Sequence, residues 1–465
     1  MSRFSSNLLI FLLIIAIQLS ACQAQTANPP VSTIIGKNET FQPTVSPTTT
    51  PKPPTPDGLF VDTTQNLGTV SQYVYGTNYG PWIAVPAGMI SEAKNAGMNI
   101  IRFPGGAWGD QNDLREYQID TFMAFCQMLG AVPSISVRLH NGTPEQAAAM
   151  VTYANLTRKY GIKYWSIGNE PDLYSKEINA NYDTPEYNRA WRSIALAMKA
   201  VDPTILLIGP EVSQFTANPE NNKKDSSGRD WMAEFLKING DIVDVVSIHR
   251  YPFPKNPAVS VAINDLRTNA SEWTDILHYL KELIHENTGR NIPIAVTEFS
   301  THYNKAIGGD ATPDSLYAGI WLGDLLGRFI SEDVLIANHW MLTSSGDQGG
   351  WGLIGRGELR PAYYAYQMYK MFGKQRYFSS SKDPDVNIYA AKNNPDILTI
   401  MVVNLANEDK TLPLNIGGVT SLINTQTWLL DDEHKAEFLS DSTISSNSQI
   451  KLPRQSITLY VMKLP

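Results

Sequence analysis

Residues 165–173 read WSIGNEPDL, an apolar run that ends in an abrupt change of direction. From Ile162 to Ile167 the spacing predicts a short buried strand. Gly168 then releases the backbone just before Asn169 and Glu170. Pro171, which has no N–H to give a ladder, stops the strand there. A carboxylate is thereby presented at a strand's C-terminal end, and the fold to look for is one in which many such ends share a rim.

Moving outward, the same unit recurs. Helical spacing over 86–97 leads into the strand of MNIIRFPGG. A helix over 116–129 is followed by a strand over 132–137, and a helix over 143–160 by the strand of the opening stretch. Beyond it come a helix over 185–201 with proline at its start, a strand over 205–208, a helix over 230–238 and a strand over 243–248. The last units pair a helix over 270–287 with a strand over 292–297, and a helix over 314–332 with a strand over 334–340. A helix over 360–372 closes the series.

Counting a first strand over 71–77, this makes eight parallel strands alternating with helices over residues 71–372, an α/β chain that predicts a (β/α)8 TIM barrel. A doubly wound open sheet is the alternative. It would carry a Gly-rich phosphate loop after its first strand, and YGTNYGPW is not one.

After residue 373 the period changes to two, with strands expected over 386–390, 398–404, 410–416, 425–430, 449–452 and 457–462. Turn residues such as Asn393-Asn394-Pro395 and Gly417-Gly418 separate them. A C-terminal β-sandwich over 373–465 is the natural packing. Residues 58–70 contain a strand over 58–63 with no helix partner, expected to join that sandwich at an edge.

Residues 1–22 read as a targeting segment: Arg3, an apolar stretch from Leu8 to Ile17, then LSAC ending on Cys22. LSAC resembles the bacterial lipobox, which makes Cys22 the expected lipidation site and predicts an extracytoplasmic lipoprotein anchored at the bacterial membrane or cell surface. Cleavage after a small residue, releasing a secreted protein, is the alternative. The Pro/Thr-rich residues 23–57 read as an extended spacer. The other cysteine, Cys126, lies in the apolar helical pattern TFMAFCQMLG and is expected to be buried and inert.

A formal net charge of -8 and a pI near 5.5, without a clustered Lys/Arg run, argue against a nucleic-acid partner.

In a barrel the chemistry collects at the strand C-terminal ends. The polar residues there are Asn78, Arg102, Arg138 and His140, Asn169 and Glu170, Glu211, His249 and Tyr251, Glu298, and His339 with Trp340. Glu170 and Glu298 close the fourth and seventh strands, across the mouth from one another. Paired carboxylates with separated pKa values are what glycosidic bond cleavage uses: one protonated to expel the leaving oxygen, one charged to attack the anomeric carbon. Trp82, Trp108, Trp351 and Tyr79, in strand-end loops, are candidates for a sugar-stacking floor or for packing. Asp110 and Glu211 are further acids suited either to sugar hydroxyls or to structural pairing.

WSIGNEPDL, IAVTEFS and NIIRFPGG, on a barrel followed by a sandwich, resemble clan A retaining glycoside hydrolases, near families 39, 44, 51 and 79. RFPGG is similar to the arabinofuranosidase-like branch and GNEPDL to the glucuronidase and endoglucanase branches. The resemblance implies an O-glycosyl hydrolase acting by double displacement on a plant cell-wall or β-glycan carbohydrate, with no cofactor. It makes Glu170 the general acid/base, Glu298 the nucleophile and Asn169 a ligand of the sugar 2-hydroxyl. It sets Arg102 beside the nucleophile, has Tyr251 donate to Glu298 with His249 on the same wall, and makes Trp340 a stacking residue before a cis peptide to Met341. Asn78, Trp108 and Trp351 complete the expected substrate-binding set. Two other readings stand beside this one: a carbohydrate-binding surface lipoprotein without catalysis, and a metal-dependent barrel hydrolase. For the latter, the first strand offers YGTN where an H-x-H pair is usual.

Overall fold

The structure is a computed structural model that describes residues 57–177, 182–253, 261–419 and 424–464. Cys22, the targeting segment and the spacer up to Pro56 lie outside the described residues.

The parallel strands Gly76–Asn78, Ile100–Phe103, Val132–Val137, Tyr164–Ile167, Leu206–Val212, Val245–Arg250, Ile294–Phe299 and Ile336–His339 pair in that order. The last joins the first to close the barrel, Gly76 lying opposite Asn338 and Thr77 opposite His339. Alternation along each strand separates two environments. Ile101, Trp165, Leu207, Val246, Val296 and Ala337 face outward into the core shared with the helices. Ile100, Tyr164, Ile208, Val245, Ala295 and Ile336 form a separate apolar plug inside the barrel.

Two residues further along those inward-facing rows the side chains turn polar: Arg102, Ser166, Ser247, Thr297 and Asn338, all buried. The interior thus grades from an apolar base to a hydrogen-bonded upper layer. The strand ends beyond that layer carry the buried carboxylates of Glu211 and Glu298.

The expected first strand over 71–77 is corrected to a shorter one. Ser71 Oγ accepts from the Tyr73 N–H at 3.3 Å, so Gln72–Val74 forms a 3-10 turn and only Gly76–Asn78 joins the barrel. The other helices and strands fall within a few residues of their expected places, with two changes. The helix beginning at Pro144 passes into a π-helical turn over Thr152–Thr157, and the helix expected from Ala270 begins at Ile263.

Apart from a small three-stranded sheet of Thr343–Ser344, Ile354–Gly355 and Glu358–Leu359, the other strands form a nine-stranded, mostly antiparallel sheet. In order these are Lys435–Ser442, Asn424–Leu430, Ser456–Lys463, Ile397–Asn404, Val386–Asn394, Gln375–Ser381, Leu59–Thr69, Lys410–Gly417 and Asn447–Leu452. Leu59–Thr69 is therefore not an edge strand. It runs antiparallel to Gln375–Ser381 and parallel to Lys410–Gly417, bridging the last two strands to the rest. The sheet encloses its own core, with Leu59, Val61, Ile400, Val402, Leu414 and Met462 inside.

Its other face packs on the barrel through the helix Leu316–Ser331, which is buried almost all round because it lies between two layers. Tyr389 Oη donates to Asp324 Oδ1 at 2.6 Å and Tyr369 Oη to the Gly323 carbonyl at 2.7 Å, satisfying polar groups within that contact.

Candidate active site

Glu170 owes its placement to two unusual backbone conformations in succession. Gly168 has φ +80°, and a Cβ there would come within 2.9 Å of Leu139 Cβ, so this position takes only glycine comfortably. Glu170 itself is left-handed, φ 44° and ψ 57°, after which Pro171 opens a 3-10 turn. A non-glycine residue held there stores strain of about 1–3 kcal/mol, of the kind found at functional sites. The Glu170 N–H donates to the Glu211 carbonyl at 3.2 Å. Its carboxyl lies beside His249, Oε1 to Nδ1 3.1 Å.

His249 Nε2 lies 3.0 Å from Thr297 Oγ1, a hydroxyl that rotates to donate or accept according to which ring nitrogen holds the proton. Burial pushes the His249 pKa below the ordinary histidine value, with Glu298 the largest opposing influence. Burial thus favours the neutral ring, which shares a hydrogen bond with Glu170.

Glu298 is aimed by a slip in register. The sixth and seventh strands pair Ile248 with Val296 and then His249 with Glu298, skipping Thr297, and such bulges re-aim side chains at sheet ends. Its carboxylate is fully engaged on the protein side. Arg102 Nη1 donates to Oε1 at 2.9 Å, the Gly106 N–H to Oε1 at 3.1 Å and Tyr251 Oη to Oε2 at 2.9 Å. Burial pushes its pKa above the ordinary glutamate value, while His249, Arg102 and Tyr251 pull the other way and Glu170 adds repulsion. Each of the three donors binds the charged form best, so they supply the ionisation that burial alone disfavours.

Arg102 is the hub beneath. Fully buried, it donates through Nε and Nη2 to both oxygens of Glu211 at 3.1 and 2.5 Å, and through Nη2 to Asn169 Oδ1 at 2.9 Å. Through Nη1 it donates to Asn78 Oδ1 at 3.0 Å. Asn78 is spent in this role. Its Nδ2 bonds the Thr297 and Asn338 carbonyls and the residue is wholly enclosed, so it braces Arg102 and does not reach substrate. Among the described residues Asn169 Nδ2 makes no hydrogen bond, which leaves a donor beside Glu170.

One ligand atom from each of Glu170, His249 and Glu298 lies within 4.8 Å of the others, close enough to hold a cation. The chemistry of this donor set fits a metal poorly. Arg102 already delivers a positive charge to Glu298, and both of its oxygens accept hydrogen bonds. Of the two acids, the Glu170 side chain is 15% exposed and that of Glu298 6%, so Glu170 is the one with a route to bulk protons.

The peptide joining Trp340 to Met341 is cis, as expected. The Trp340 ring lies against Gly105 and Gly106, where a Cβ on Gly106 would come within 2.8 Å. It stands between Trp82, tilted 30° at 6.3 Å, and Trp351, edge-on at 6.1 Å, all three half-buried. Trp351 Nε1 donates to the His302 carbonyl at 2.9 Å, fixing its ring.

Trp108 is half-buried on the short helix Trp108–Gln111. Tyr79 stacks on Phe125 at 4.7 Å and is a packing residue. His140 rests on Tyr174, and His339 between Phe299 and Tyr366. Asp110 proves structural: it accepts from the Leu139, His140 and Asn169 amides and from Tyr174 Oη, tying the third and fourth strand ends together. Sequence reasoning missed the Gly106 amide and Thr297. Neither carries a sequence signal, one being backbone and the other an ordinary strand residue.

Comparison with known proteins places this geometry in a family. Residues 150–412, more than half the chain, match the family described as Glycosyl hydrolases family 39. A probable alpha-L-arabinofuranosidase C of Aspergillus clavatus is 26% identical over 194 residues, covering 32% of this chain and 37% of the relative. An intracellular exo-alpha-(1->5)-L-arabinofuranosidase of Streptomyces lividans is 23% identical over 201 residues, 35% of this chain and 29% of the relative. The chain thus spans roughly a third of the curated relatives it matches.

Among solved structures, the alpha-L-arabinofuranosidase of Thermotoga maritima superposes with a TM-score of 0.71 at 20% identity, covering 88% of this chain and 100% of the other. A Paenibacillus polymyxa xyloglucanase of family 44 does so with a TM-score of 0.67 at 16% identity, covering 88% and 99%. These likenesses establish a shared fold.

Proposed function

The chain belongs to glycosyl hydrolases family 39, and on that footing we propose that it is a retaining glycoside hydrolase that removes sugar residues from plant cell-wall glycans, α-L-arabinofuranosides first among them. The observation that carries the mechanism is the closeness of Glu170 and Glu298, whose oxygens come within 4.8 Å. Retaining enzymes hold their carboxyl groups about 5–5.5 Å apart, whereas inverting ones need about 6.5–9.5 Å to admit a water. The sugar preference rests on the arabinofuranosidases among the relatives.

In the first step the Glu298 carboxylate attacks the anomeric carbon while Glu170 gives its proton to the leaving oxygen, forming a glycosyl ester on Glu298. In the second, Glu170 takes a proton from water as that water attacks the same carbon and frees Glu298. Arg102, Tyr251 and the Gly106 amide keep Glu298 charged and aimed. Asn169 Nδ2 donates to the sugar 2-hydroxyl in this reading, and Trp340 packs on the sugar's C–H face. His249 takes part by holding the Glu170 carboxyl in place.

The test is a panel of aryl α-L-arabinofuranosides, β-xylosides, β-glucosides and β-glucuronides, with arabinan, arabinoxylan and xyloglucan. Turnover of at least one is expected, with the arabinofuranoside fastest. Silence across the whole panel by folded protein would remove the proposal.

The pH profile gives a second expectation. Because burial raises the Glu298 pKa and the reaction needs the ionised form, activity falls away at a pH above the ordinary glutamate value. In kcat/KM against pH, an acidic limb lying above the ordinary glutamate value is expected; a limb at or below that value contradicts the assignment.

A further inference from the structure

We propose that Glu211, a residue with no part in bond-making, is a positioning residue for both catalytic carboxylates at once. The inference rests on the proposed function above and extends it to the fifth strand. Glu211 sits in a bulge of its own. Pro210 lies opposite Ser247 and Val212 opposite Ile248, so Glu211 has no partner in the register, and its φ is +57°.

A non-glycine residue in that conformation is held by its surroundings, and here both its backbone and its side chain are. Its N–H donates to Ser247 Oγ at 3.0 Å. Its carbonyl accepts the Glu170 N–H at 3.2 Å, at the left-handed turn that aims Glu170. Its two carboxylate oxygens take Arg102 Nε and Nη2, which leaves Nη1 as the donor pointed at Glu298. One fully buried residue therefore holds the backbone of the acid/base and the Arg102 guanidinium that binds the nucleophile.

Charge sharing follows from the same contacts. Two carboxylates, Glu211 and Glu298, divide one guanidinium. Glu298 is also faced by Glu170 from the fourth strand and by His249 and Tyr251 from the sixth, and its Oε1 by the Gly106 amide. With Glu211 neutralised, one of the two carboxylates that share the Arg102 charge is gone and the guanidinium acts on Glu298 alone. That makes Glu298 easier to ionise and a weaker nucleophile.

The experiment is Glu211→Gln in the full-length protein, with kcat, KM, the pH profile and the unfolding midpoint measured together. We expect kcat to fall about a hundredfold with KM within about threefold, as for a misplacement near the reacting groups, and the acidic limb to move to lower pH. A folded variant whose kcat is unchanged, or whose limb stays or moves upward, overturns the proposal. Should Glu211→Gln not fold, Glu211→Asp carries the test. It keeps the charge but is too short to hold both contacts, so kcat falls while the limb stays; wild-type kcat in folded Glu211→Asp overturns the idea. Loss of activity in Glu170→Gln and Glu298→Gln with wild-type behaviour in Glu211→Gln sinks this inference alone, whereas hydrolysis persisting in both of the former sinks the function it rests on.

Discussion

Glu298→Gln is expected to lower kcat by on the order of 10⁴-fold or more on any substrate the protein hydrolyses, because in the proposed double displacement it replaces the nucleophilic carboxylate with an amide. The amide keeps the side chain's shape, so the loss should come without a large change in KM. Glu170→Ala is expected to behave differently. Removing a general acid/base costs about 10²–10⁴-fold, and the loss should shrink for leaving groups that depart without a proton. Added azide should restore turnover to Glu170→Ala by attacking the glycosyl ester in place of base-assisted water, and do nothing for Glu298→Gln. Hydrolysis surviving in Glu298→Gln, or azide rescue of the wrong variant, would reverse or remove these roles.

The second large effect concerns stability. Arg102 is completely enclosed and stands between Glu211 and Glu298, at 2.5 and 2.9 Å. Arg102→Met leaves two buried carboxylates without their cation, and breaking a buried pair from one side costs about 3–5 kcal/mol. The expected result is an unfolding free energy, from chemical denaturation, lowered by that amount, with activity lost even at temperatures where the variant is folded. Arg102→Lys should not rescue it fully, because a point charge replaces the planar fork that serves Asn78, Asn169, Glu211 and Glu298 together. A cost below about 1 kcal/mol would show that Glu211 and Glu298 do not depend on this cation.

Much of this was legible from the chain. Strands with continuous apolar character, such as Tyr164–Ile167 and Ile294–Phe299, announce both their burial and the polar residue that ends them. That is how the chain itself pairs Glu170 and Glu298 across a mouth. Helices with a full apolar stripe, such as Glu116–Leu129, kept their boundaries because the stripe and the terminal Gly130 agree.

What escaped has physical reasons. The 3-10 turn at Gln72–Val74 depends on a single Ser71 hydroxyl, a local contact that strand-like composition hides. Gln375–Ser381 is half-buried at every position and Lys435–Ser442 almost wholly exposed, so neither shows the alternation by which a strand is read. The interior position of Leu59–Thr69 follows from pairing with strands hundreds of residues away. Asn78 looked like a substrate ligand because it ends a strand, and only the network shows its polar atoms already used. Glu211 was visible as an acid, but its bulge and its hold on Arg102 are tertiary facts.

The central claim is that Glu170 and Glu298 act together by double displacement. It is tested most directly by following the anomeric protons by NMR during the first turnovers of whichever glycoside in the panel is cleaved. The account predicts that the product forms first with the anomeric configuration of the substrate and only later equilibrates. A first-formed product of inverted configuration would contradict it.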